Sequence, residues 1–126
     1  MRTAVRRWFD LRDEPGEPPD YRFSLANERT FLAWIRTGLA LVGGGLATAQ
    51  LLPPLPIARL REVVAMALLL LGAAVAVRSV DHWARCERAM RLDQPLPASR
   101  FPAILALSVL VVGLLLLAAV LVRAAR

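Results

Sequence analysis

Sixteen basic residues, every one an arginine, make the guanidinium the main chemical resource of this chain. Arg29 and Arg36 stand seven residues apart, hence nearly on one face of a helix. Neither has an acid three or four residues away, and nor has Arg88. Arg78 and Arg85 repeat the seven-residue spacing. Two such stripes on one side of a membrane can line a positive vestibule. The planar guanidinium fork grips phosphate oxygens in bidentate fashion, and acidic lipid headgroups would use the same groups. The bland reading of Arg36 is an interfacial anchor whose long side chain snorkels toward the headgroups. A GC-rich genome would also favour arginine over lysine without any selection for guanidinium.

Other chemistry is thin. The single Cys86 excludes an intrachain disulfide, and with His82 as the one histidine no metal cluster is expected. Both residues read as incidental. No nucleophile, base or metal constellation is present, so no enzyme and no cofactor are expected.

The elements that must position the arginines follow from composition. Of 126 residues, 57% are hydrophobic, and the formal net charge is +6. A soluble single-domain enzyme does not need so much apolar sequence, and a disordered nucleic-acid-binding tail cannot carry it. No nucleic-acid partner is expected; the partner is the bilayer with its acidic lipids. The apolar residues fall in three blocks, about 30–52, 63–80 and 101–122, each near the roughly 20 residues of a membrane-crossing helix. The first block contains one charge, Arg36. These are continuous runs and not alternating ones, which argues against strands.

The expected fold is therefore all-α, an integral-membrane three-helix bundle. An N-terminal arm and Pro-rich linker occupy 1–20, and the membrane domain 21–126, with helices about 24–52, 60–92 and 101–123. Residues 1–20 hold no apolar stretch fit for a signal peptide. Trp8 and Phe9, beside Arg6 and Arg7, suit a segment lying on the lipid surface or a frayed terminus. Pro15 to Asp20 (PGEPPD) reads as a non-helical linker. Ser24 is the expected N-cap of the first helix. Phe31 and Trp34 fall at an aromatic belt. The pairs Asp81–Arg85 and Glu87–Arg91 support the end of the second helix, which Pro95 and Pro97 close.

Orientation follows from arginines near the helix ends. Eight lie on the side of the N-terminus and second connection, against four on the other. The positive-inside rule then puts the N-terminus in the cytoplasm and the C-terminus outside. Gly38, Gly43, Gly44 and Gly45 crowd the first helix. Ala40, Gly44 and Thr48 form a small-residue ladder that Gly45 and Ala49 extend, with a weaker one at Ala65, Gly72 and Ala76. Such ridges let helices approach closely, inside one chain or between chains.

The segment from Ser24 to Gly44, SLANERTFLAWIRTGLALVGG, resembles the signature of the domain of unknown function 202 family. That family takes in YidH-type small proteins of the bacterial inner membrane. Its domain in turn resembles the membrane part of the eukaryotic vacuolar transporter chaperone, a polyphosphate polymerase complex. The resemblance covers about residues 20–122 and implies a multi-pass protein of the bacterial cell membrane. It implies that three-helix domains assemble side by side around a pore, as a homo-oligomer or with membrane partner subunits. Carried over by position, Arg29, Arg36 and Arg78, and more loosely Arg85 and Arg88, would face a polyphosphate path. Asn27, Glu28 and Trp34 belong to the signature, and Asn27 and Glu28 would tie helices together. This chain carries no polymerase or phosphate-sensing domain. Two functions remain: an oligomeric subunit with an arginine-lined anion passage, or a structural or accessory membrane protein whose arginines set topology and bind acidic lipids.

Overall fold

The structure, a computed structural model, describes residues 16–126. The proposed surface segment around Trp8 lies outside the described residues. Three helices make up the fold: α1 (Tyr21–Leu51), α2 (Leu60–Arg91) and α3 (Phe101–Ala124). No strand occurs among the described residues. All three helices are long and apolar enough to span a membrane, with mean hydropathies of 1.3, 2.3 and 3.1 in their most apolar windows. With 31 and 32 residues, α1 and α2 measure about 46 and 48 Å at 1.5 Å per residue. Both exceed a hydrocarbon core of about 30 Å. α3, with 24 residues, is about 36 Å long.

α1 begins three residues before the expected cap. Asp20 caps it: its carboxylate accepts the Arg22 N–H at 3.1 Å, and its carbonyl accepts those of Phe23 and Ser24 at 3.0 and 3.3 Å. A carboxylate suits this position because it satisfies a free N–H and meets the positive end of the helix dipole. Ser24 is inside the helix, and its hydroxyl turns to a partner on α2.

The chain divides into two compact units. The first contains the N-terminal part of α1, up to Thr37, with residues 74–98, the C-terminal part of α2 and its following connection. Its buried residues include Val75, Ser79, Ala84, Cys86 and Ala89, all on α2. α2 ends in a Schellman arrangement: Asp93 takes a left-handed φ of 51°, and the Gln94 N–H reaches back to the Ala89 carbonyl at 2.9 Å. The linker before α1 is pinned to the same helix end, since Glu17 N–H donates to the Arg91 carbonyl at 3.2 Å. Gly16, at φ 113°, lies so close that a Cβ there would strike the Arg91 carbonyl oxygen.

The second unit holds Gly38–Ala73 and Ser99–Arg126. Here α1 and α2 pack through glycine. A Cβ on Gly72 would stand 2.8 Å from the Gly38 carbonyl oxygen and 2.7 Å from Val42 Cγ2. One on Gly45 would meet the Ala65 carbonyl at 3.0 Å and Leu69 Cγ at 2.9 Å. Arg61 closes the turn between the helices by donating to the Leu52 carbonyl at 3.1 Å and pairing with Glu62 at 2.9 Å. α3 keeps most of its surface outside: of its residues, Ala119 alone is buried. Ile104, Leu107, Leu110, Leu114, Leu117 and Leu121 are all exposed. So much exposed leucine would be untenable in water and is what a lipid-facing helix requires.

Candidate functional site

The arginines selected from sequence are not equivalent. Arg29 and Arg36 are both exposed on α1, and among the described residues neither has a hydrogen bond or an ion pair. Arg36 lies well inside a candidate span. The same face of α1 continues, at three- and four-residue steps, through Ala33, Ala40, Gly43, Ala47 and Gln50, all exposed. This face is therefore small or polar along its length. A second exposed face is different, with Leu25, Leu32, Leu39 and Leu46 at seven-residue steps.

Arg78 and Arg85 share one carboxylate. Asp81 Oδ2 stands 3.5 Å from the Arg78 guanidinium and 3.0 Å from Arg85 Nε. The expected Asp81–Arg85 pair is present, and Arg78 joins it from one turn before. One negative charge thus offsets part of the positive potential at this end of α2. The pair expected between Glu87 and Arg91 does not form. Glu87 instead accepts the Ser24 hydroxyl of α1 at 3.4 Å. Arg88 is half-buried on α2.

The signature residues of α1 divide between packing and surface. Asn27 donates from Nδ2 to the Trp83 carbonyl of α2 at 3.2 Å. Phe31, one turn on, sets its ring against that of Trp83, with centroids 6.1 Å apart and planes tilted by 50°. Trp34 is half-buried. Glu28 is exposed and, among the described residues, makes no tie to another helix. Trp83 is the residue that sequence reasoning missed: it receives both the amide and the ring of α1. Its helical position was legible, but the register that brings it opposite Asn27 was not.

The small-residue ridge keeps Gly45 and Thr48 of the expected ladder, and Ala65 and Gly72 of the weaker one, but not Ala40 or Ala49. Gly38, Gly45 and Thr48 are the buried residues of α1. Ala40 and Ala49 are exposed, and a Cβ on Gly43 or Gly44 would meet nothing within 4 Å. Within the chain, close approach therefore runs through Gly38 and Gly45 on α1 and Ala65 and Gly72 on α2.

A family model described as "Domain of unknown function (DUF202)" matches residues 22–89, which take in α1 and nearly all of α2. The chain belongs to the DUF202 family. Among its relatives is the inner membrane protein YidH of Escherichia coli K12, 44% identical over 106 residues, covering 84% of this chain and 92% of that protein. An uncharacterized protein of Mycobacterium tuberculosis is also 44% identical over 106 residues, covering 84% of this chain and 87% of the relative. No solved structure gives a significant match. With three helices able to span the bilayer, the similarity to the inner membrane protein YidH makes the chain a multi-pass protein of the bacterial inner membrane.

Proposed function

We propose that this protein is a non-enzymatic membrane subunit that assembles into an oligomer with an anion-binding passage lined by Arg29 and Arg36. The observation that supports it most is the exposure of both guanidinium groups, without partners among the described residues, on an α1 face of small residues. A charge at the bilayer centre costs roughly 2.5–3.5 kcal/mol on insertion scales. Water, an anion or an acidic headgroup must therefore meet Arg36. Three helices are too few to enclose a channel by themselves, whereas several copies with α1 inward would do so. The small residues Ala33, Ala40, Gly43 and Ala47 would leave room along such a lumen. Arg78, Arg85 and Arg88 would supply the positive mouth, moderated by Asp81. In this reading the N-terminus and the second connection are cytoplasmic, following the arginine asymmetry. The ligand class is a phosphate-bearing polyanion, in line with the resemblance to the polyphosphate-handling chaperone.

The test is anion flux through protein reconstituted in vesicles, with chloride and short-chain polyphosphate as probes. Arg36→Ala should lower flux roughly tenfold or more, because a hydrogen bond to a charged group contributes about 1.5–3 kcal/mol. Equal background flux for both proteins, or a strict monomer in mild detergent, would sink the passage. The arginines would then serve only topology and acidic-lipid binding.

A further inference from the structure

A cavity of about 250 Å³ lies within the first unit, and the anion reading makes no use of it. Its α2 wall is formed by His82, Cys86 and Met90. These sit at four-residue steps, so one helix face presents an imidazole, a thiol and a thioether to the same space. Opposite them stand Asn27 and Thr30 of α1, and Leu96 of the following connection. Asn27 and Thr30 direct their donors elsewhere, to the Trp83 and Ala26 carbonyls. Among the described residues no carboxylate lines the space. The nearby acids are engaged, Glu87 with Ser24, and Asp81 with Arg78 and Arg85.

The spacing of the first two groups carries the argument. Cys86 Sγ is 3.5 Å from His82 Nε2. For comparison, zinc–sulfur bonds of about 2.3 Å and zinc–nitrogen bonds of about 2.0–2.1 Å, opened to a tetrahedral angle, set two such donors about 3.5 Å apart. The two groups are in hydrogen-bond contact, at a separation that two ligands of one ion can also keep. Met90 follows one turn later, and its three rotatable bonds let the thioether adapt to a bound ion. Among the described residues no three His, Cys, Asp or Glu side chains gather. Met90 lines the same space and offers a thioether as a third donor, a choice that bears on the metal. A thiolate, a thioether and one imidazole in an apolar pocket select a soft cation over a hard one.

We propose that His82, Cys86 and Met90 form a binding site for monovalent copper. On binding, the Cys86 thiol gives up its proton to solvent and forms a copper–sulfur bond. The ion enters as Cu(I), so no electron is exchanged.

The test uses the full chain in detergent, without oxygen, and the coloured Cu(I)–bicinchoninate complex as the probe. The wild type should withdraw one Cu(I) per chain, with X-ray absorption reporting a mixed sulfur and nitrogen shell. Cys86→Ser should lose that copper, and Met90→Leu, which conserves packing, should hold it more weakly at unchanged helical content. The proposal is overturned if the wild type withdraws no copper or if Cys86→Ser retains it. Unchanged affinity in Met90→Leu overturns it equally, even where Cys86→Ser fails to fold. Uptake of Zn(II) as tight as that of Cu(I) would overturn the assignment to a soft ion.

Discussion

Asp81 holds Arg78 and Arg85 at once, at 3.5 and 3.0 Å, with 28% of its side chain exposed and 43% and 60% of theirs. Exposed pairs of this kind typically contribute only about 0.2–1 kcal/mol. Their larger effect is on local charge. Asp81→Asn should change stability by less than about 1 kcal/mol, measured by detergent unfolding. The same variant should raise the flux of a polyanion through reconstituted protein, because two guanidinium groups lose their shared carboxylate. A fall in flux would show that Asp81 positions the arginines instead of moderating them. Arg29 and Arg36 differ from this pair in having no acid three or four residues away, a difference that chain order alone displays. The fate of Glu87 is not legible in that way. Its i+4 arginine predicts a local pair, but Ser24 of α1 claims it across 63 residues of chain.

At the scale of the helices, glycine decides where α1 and α2 approach. Gly72 has the Gly38 carbonyl oxygen 2.8 Å from where its Cβ would be, so backbone must move to admit even alanine. Gly72→Ala should destabilise the protein by about 1–3 kcal/mol, as overpacking in a tight core does. Gly43→Ala, which meets nothing within 4 Å, should leave stability unchanged or slightly raised, since alanine favours helix over glycine. Parallel unfolding of the two variants in the same detergent checks both. If Gly43→Ala instead changes oligomer size at unchanged stability, the open face of α1 is where copies meet. The existence of all three helices is readable from the apolar blocks, although α1 begins well before its block and α2 runs well past its own. The packing ridge lies at Gly38–Gly45 and not at Ala40–Gly44, because sequence shows small residues but not which helix face meets a neighbour. The cap is Asp20 and not Ser24, because both carry suitable oxygens and only the backbone distinguishes them.

For the whole molecule, topology is the testable property. The arginine asymmetry predicts a cytoplasmic N-terminus and an outer C-terminus. Alkaline phosphatase joined after Arg126 should be active in the periplasm, whereas a fusion within the connection at Gln94 should be silent. The reverse pattern would invert the positive side of the protein and remove the vestibule from the cytoplasmic face. The sequence by itself determined the membrane class, the three spans, the family and the lack of a local acid beside Arg29 and Arg36. Each of these depends on local composition or on spacing along one helix, which the chain order records directly. Only the tertiary structure decided that Trp83 receives Asn27 and Phe31, that Gly72 meets Gly38, and that His82, Cys86 and Met90 share one cavity with α1. Those contacts depend on the register between helices separated by dozens of residues. Register is set by the simultaneous fit of many side chains, and no single stretch of sequence contains it.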